Sequence, residues 1–507
     1  MRNKWLYSVC FGMILILFAS CGKEKDIRTV IPSDAMAVYA LDLPALAMKG
    51  GLENEDVQQL MLTWMEKAGG QDREYMAELM KDPSDTGIDY DQKMYLFMTA
   101  KNDIVLVSKL ESKRQFKKLL AHVGDGWMAV DEWLTEDDFD YLESDNMAIV
   151  LDNDMAMLTY SLSGATAEAM RLRAMGWLQQ KKEESFKSTQ DCKALEEAGG
   201  DMAAWMTMQA VPKQIYQLVS QGSLPRDVRI EDIHCMINCY FEKGKLRLKA
   251  SVLPSGKAAT QYYEEQAALM KPIEGKFLPD SGYTPWIWMG LGIDGKKYYQ
   301  LLEQNVEMRQ LLEEAAFGFN IKRFVSAVDG DMAFTLDMPE TQETALLPAF
   351  AVQADLKNDS ILEDMVKMQQ LMSFFGIDMK RDGPRMYSWI QPDFKIWLGV
   401  DENNRFYCGN TENLLHPMGK HPEWISELDG CLFYLRMDIR QQVEKKREVL
   451  ESDPYVRLSL PVLKLFDALV MQSKDAKECN MELRTVDGRE NVLKQVLATL
   501  AEVYGTN

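Results

Sequence analysis

Several groupings of residues in this chain have the types and spacings that chemistry uses. Gly290-Leu-Gly-Ile-Asp-Gly295 matches GxGxxG, placed after an apolar run and before a helical pattern. In a dinucleotide-binding turn such glycines let the backbone approach a pyrophosphate at a helix N-terminus. Here the preceding Trp286-Ile-Trp288 alternates as an antiparallel strand does, and no second strand ends in an acid about 20 residues on. The set is therefore expected to be structural, and no cofactor is expected. His234, Cys235 and Cys239, with His416 and His421 elsewhere, are residue types that zinc uses. Cys235 and Cys239 are four residues apart, roughly 13 Å along a strand, which excludes a shared metal and a mutual disulfide. No metal centre is expected. A nucleophilic serine or cysteine would have to recruit one of four histidines, there is no GxSxG elbow, and 78 acids make any carboxylate pair uninformative. No catalytic residue is assigned, and the protein is not expected to be an enzyme. Trp286 and Trp288, two apart on one strand face, are the candidate interaction surface: a platform for stacking if exposed, core if buried.

The N-terminus carries an address. Arg2 and Lys4 precede an apolar stretch from Trp5 to Phe18, shorter than the roughly 20 residues that span a bilayer. Residues 1–20 read as a signal peptide. The run ends Phe18-Ala19-Ser20-Cys21, and two small residues before a cysteine resemble the lipobox of bacterial lipoproteins. The expectation is lipidation of Cys21, a lipidated tether over 21–30, and a place in the cell envelope at the outer membrane, facing either the periplasm or the outside. The lipid on Cys21 would be the contact with the membrane. No later stretch reaches 18 consecutive apolar residues.

Composition sets the class. The chain has 507 residues, 47% apolar and 27% charged, as folded water-soluble proteins are. Its net charge of −21, which loss of Arg2 and Lys4 takes to −23, repels nucleic-acid phosphates and excludes that partner. Beyond Cys10 and Cys21, six cysteines remain, too sparse for a disulfide scaffold; at most one bridge is expected. Methionine, at 34 residues, outnumbers phenylalanine at 19. Thioethers fill irregular cores, and they also line adaptable grooves for lipid or another hydrophobic ligand.

The elements that would position these groups are written twice. Strand-then-helix patterns recur from Asp34, Gly200, Gly282 and Gly430, with Asp42, Gln209, Asp294 and Asp438 at the junctions, as helix N-caps require. Ile104–Leu110 corresponds to Phe350–Leu356, the hairpin from Met147 to that from Ile396, and the strand from Lys245 to that from Asn480. The order is preserved throughout, so a tandem duplication is the simplest account. Strand alternation with turn dipeptides such as Asp152-Asn153 predicts an α+β fold of two tandem similar halves, each an antiparallel sheet with helices packed on one face. The first half is set at 31–253, a linker at 254–281 and the second half at 282–507.

IPSDAMAVYALDL near the start of the body, LMKDPSDTGIDYDQKMYLFM from Leu79 and FVSAVDGDMAF from Phe324 resemble a bacteroidete envelope lipoprotein family known only as a domain of unknown function. The resemblance covers most of the chain. It implies an envelope lipoprotein and transfers no catalytic residue. The functional expectation is a lipid-anchored, non-catalytic binding or scaffolding module for an envelope protein or glycan, with a carrier of hydrophobic ligands second and a hydrolase third. The seam from Leu253 to Ser281 and the facing strand at Trp286–Trp288 are where a partner is expected.

Overall fold

The computed structural model describes residues 25–67, 73–123, 133–211, 224–225, 227–279, 285–303, 320–337, 348–391, 394–410, 422–452 and 454–504. The chain divides into two compact units. One comprises residues up to Asp42 with Met65–Glu197, the other Leu43–Trp64 with Ala198–Asn507.

The first unit is built on β1 (Ala37–Leu41), β2 (Met94–Met98), β3 (Asp103–Lys109), β4 (Leu134–Glu136), β5 (Phe139–Ser144), β6 (Met147–Leu151) and β7 (Met155–Ser161). They pair antiparallel in the order β4-β5-β6-β7-β3-β2-β1. The turns are tight because Asn102, Asp137 and Asp145 adopt positive φ, which short polar side chains tolerate. Both faces carry buried apolar residues: Phe97, Val105, Val107 and Met157 share one, and Leu142 and Ile149 lie on the other. The helix Ala167–Gln179, capped by Thr166 on the Ala169 N–H, lays Met170, Ala174 and Leu178 onto β6.

Residues 25–30, read from sequence as tether, belong to this body. Asp26 caps a 3₁₀ turn over Ile27–Val30, and Ile27 and Val30 are buried, so apolar anchoring begins earlier than the run of charges indicates.

The second unit contains β8 (Met202–Thr207), β9 (Ile233–Glu242), β10 (Lys245–Pro254), β11 (Met270–Lys271), β12 (Ile287–Asp294), β13 (Val328–Asp337), β14 (Ala349–Leu356), β15 (Met379–Arg381), β16 (Met386–Gln391), β17 (Phe394–Val400), β18 (Arg405–Gly409), β19 (Phe433–Asp438), β20 (Phe466–Asp475) and β21 (Glu478–Thr485). The order is β8-β9-β10-β21-β20-β19-β12-β13-β14-β18-β17-β16-β15, all antiparallel, with the short β11 also on β12.

The architecture is α+β, and its pairing repeats. The run β12-β13-β14-β18-β17-β16-β15 has the order of β1-β2-β3-β7-β6-β5-β4, and the meander β19-β20-β21 matches β8-β9-β10. The compact units cut the chain elsewhere than this repeat does. The meander β8–β10 lies in the second unit because β10 pairs along its length with β21, Arg247 opposite Glu482. The 254–281 segment is more than a linker: it holds the helix Lys257–Ala267, with Ala259 and Tyr262 buried, and β11.

Asp294 and Asp438 act at their junctions as the sequence predicts. Asp294 accepts from the Lys297 N–H at 3.3 Å and Asp438 from the Gln441 N–H at 2.9 Å. Gln209 instead sits in a one-turn 3₁₀ helix with its amide on Glu231, and the segment from 212 to 223 lies outside the described residues.

Candidate functional site

Two adjoining clefts of about 350 and 370 Å³ open in the first unit and share Arg28, Lys93 and Tyr95. Five pieces of chain form them: the segment Lys25–Arg28 entering the body, Ala40 on β1, Asp91–Tyr95 leading into β2, Lys109 at the end of β3, and residues 187–196. The lining holds five cations, Lys25, Arg28, Lys93, Lys109 and Lys187, against three carboxylates, Asp26, Asp91 and Glu196. In a chain of net charge −21 this is a local reversal of sign.

Most of these charges are already committed. Arg28 grips Asp26 through two hydrogen bonds of 2.8 and 2.6 Å and also pairs with Glu196; Lys187 pairs with the same two acids. Two cations and two carboxylates thus close a neutral ring. Burial works to raise the Asp26 carboxyl, but the Arg28 hydrogen bonds and charge, with Lys187, outweigh it and hold the group down at about 2. Lys25 donates to the Leu178 carbonyl and to Asp152 at 3.3 Å. Lys93 and Lys109 line the cleft outside this ring. Lys109 is only 6% exposed and is held by an interaction within the chain; Lys93 is half-buried.

Tyr95 stands among these groups, and burial pushes its phenol up to about 12. Burial likewise raises the Cys192 thiol. Both stay protonated at neutral pH, so the cleft offers hydrogen-bond donors and fixed positive charge rather than a thiolate or a general base.

The residues singled out from sequence lie elsewhere. Cys21 falls outside the described residues. Trp288 is core, which removes it from the candidate surface: it is 2% exposed, its indole N–H donates to the Phe277 carbonyl at 3.0 Å, and its ring packs against Trp424 and Tyr434. Trp286 is half-buried, and its carbonyl accepts from the Asp438 N–H at 2.9 Å. The pair is therefore no stacking platform.

The glycines of GLGIDG answer to packing. A Cβ on Gly290 would sit 2.4 Å from the Trp288 ring, one on Gly292 2.2 Å from the Lys271 carbonyl oxygen, and one on Gly295 1.9 Å from that of Val325. The strand carrying them lies between two antiparallel neighbours, unlike the parallel strand that feeds a dinucleotide turn. His122 stacks on Tyr75, and His234 meets Trp205 edge-on; His416 and His421 lie outside the described residues. All six body cysteines are free thiols, and among the described residues no group of three potential metal ligands gathers. No described helix is long and apolar enough to cross a membrane.

Sequence reading passed over Arg28, Lys93 and Lys109. The signal was present: Ile104–Leu110 aligned with Phe350–Leu356 sets Lys109 against Asp355, a reversal of charge beside a buried leucine in each copy, Leu110 and Leu356.

Two solved structures, of crystal forms III and I of TP0453, show slight likeness. Their TM-scores are 0.27 and 0.26 and their identities 12% and 10%, over 48% and 49% of this chain and 87% of theirs. No curated protein matches. The family comparison is extensive: the sequence pattern of the Domain of unknown function (DUF4836) matches residues 27–438, from the cleft segment through β19. The chain belongs to that family.

Proposed function

We propose that this protein is a lipid-anchored envelope protein of the outer membrane whose body binds a ligand or partner without catalysis. The observation that carries the anchoring is Phe18-Ala19-Ser20-Cys21 closing an apolar run behind Arg2 and Lys4. Binding is supported by the cleft that starts at Lys25, four residues past Cys21. Its phenol and thiol are both pushed towards their neutral forms, which suits holding a ligand better than attacking one. The carrier reading draws less support, because an acyl chain would desolvate the charged lining without compensating it. Many methionines are accounted for as packing, with Met155, Met157, Met170 and Met365 fully buried.

The test is Cys21→Ala with fractionation and labelled fatty acid. The expected result is loss of acyl label and of stable membrane retention. Full retention without label, or turnover of a hydrolysable substrate by the purified chain, would overturn the reading.

A further inference from the structure

The most exposed large apolar side chain among the described residues is Phe374, at 83%, and Phe375 beside it is 62% exposed. They end a helix of the second unit, Ile361–Phe374, that sends Ile361, Met365 and Met372 into a core shared with Tyr387 on β16 and Leu398 on β17. Its last turn, Leu371-Met372-Ser373-Phe374-Phe375-Gly376, carries no charge, and Leu371 is exposed as well. Hydrogen bonds fix this turn. Gly376 takes φ +74°, and the Ile377 N–H donates to the Met372 carbonyl at 2.9 Å, which closes the helix. The Gln369 side chain donates to the Met379 carbonyl at 3.0 Å, tying the helix to β15, and Ile377 packs against the same core. The two rings meet edge to face at 5.5 Å. A Cβ added at Gly376 would meet nothing within 4 Å, so the corner projects into solvent.

Apolar surface held in water is unfavourable, and a projecting patch of it marks a contact. The two rings offer about 200–350 Å² between them, well short of the roughly 800 Å² per partner that a stable protein complex buries. Such a wedge suits a bilayer, whose acyl boundary takes up single rings without a matching surface. The charges around it fit. Lys367 and Lys380 are exposed and only loosely paired, with Asp364 and Asp378 at 3.9 and 3.7 Å, and exposed Arg381 follows before Asp382. A lysine stem lies along apolar surface while its ammonium meets a lipid phosphate. The distant acids behind the net charge of −21 are screened over about 8 Å at physiological salt, so local charge sets the contact. We propose that this corner, Leu371, Phe374 and Phe375 with Lys367 and Lys380 beside them, inserts into the headgroup–acyl boundary of a phospholipid bilayer. The proposal goes beyond ligand binding, and it shares only the membrane with the anchoring reading, because side chains of the folded body make the contact.

The experiment places the photoreactive residue p-benzoylphenylalanine at Phe374, at Phe375 or, as a control, at the exposed Glu402 between β17 and β18, each in the full chain. The purified chains are irradiated with vesicles of phosphatidylethanolamine and phosphatidylglycerol that carry a radiolabelled phospholipid. Lipid adducts at both phenylalanines at least fivefold above those at Glu402 are expected. A probe at Leu371 should lose at least threefold of its lipid adducts in Phe374→Ser/Phe375→Ser, with near-UV circular dichroism verifying that this variant is folded. Adducts no higher than at Glu402, adducts only with a second copy of the chain, or adducts at Leu371 unchanged in the folded double variant overturn the proposal. Irradiation of intact cells repeats the comparison, and protein adducts in place of lipid adducts at Phe375 assign the corner to a protein partner and overturn it as well. Vesicles present a bilayer to the chain whether or not Cys21 is acylated, so lipid adducts that persist in Cys21→Ala separate this result from the fate of the anchoring reading.

Discussion

The strands β1 and β12 occupy the same place in the two runs, yet they fill it differently. Ala37 pairs with Met98, and Ile287 with Leu336. Counting from those rows puts Trp288 where Val38 stands and Gly290 where Ala40 stands. All four are buried. β1 fills the layer with two medium side chains; β12 fills it with one large ring and nothing beside it, the Trp288 indole lying over the Gly290 Cα. The charged positions change sign as well: Lys109, lining the cleft, stands where Asp355 pairs with Lys276. A shared pairing order therefore leaves both volume and charge free to change sides, provided that each row is compensated locally.

The largest expected effect breaks the packing half of this comparison. Trp288→Val alone should cost about 3–5 kcal/mol through the cavity it leaves. Gly290→Ala alone should cost about 1–3 kcal/mol through overpacking against the ring. The double variant recreates the β1 row and should be more stable than the sum of the two by at least about 1 kcal/mol. Strictly additive costs in chemical denaturation would show that the two rows are not packing equivalents.

Next in size are the acids of the second unit beside Lys276. Asp331→Ala removes the acceptor for two backbone N–H groups and should destabilise by about 1–3 kcal/mol, with Lys276→Met costing less because its ammonium reaches solvent. Thermal unfolding of the two variants orders them; a larger loss for Lys276→Met would reassign the stability to the ion pair.

A smaller effect, confined to acid, belongs to the first unit. The Asp26 carboxyl is held at about 2, below its ordinary 3.8. A depressed carboxyl stabilises the fold above its ordinary value and loses that contribution as pH falls through the folded one. Asp26→Asn should therefore cost about 1–2 kcal/mol at pH 5, after allowance for partial solvent screening, and almost nothing near pH 2. A pH-independent difference would point to packing instead of ionisation.

The contrast also marks what sequence could carry. Strand order was legible because alternation such as Ile104–Leu110 repeats as Phe350–Leu356, and Asp294 and Asp438 announce their helices as caps do. The burial of Trp288 was not, because it depends on Gly290 beneath it and on the Phe277 carbonyl that takes its N–H. Nor was the assignment of β8–β10 to the second unit, which rests on one long-range pairing with β21. The cleft was hidden for the same reason: residues 25–28, 91–95, 109 and 187–196 meet only after the sheet forms, and no period in the sequence links them.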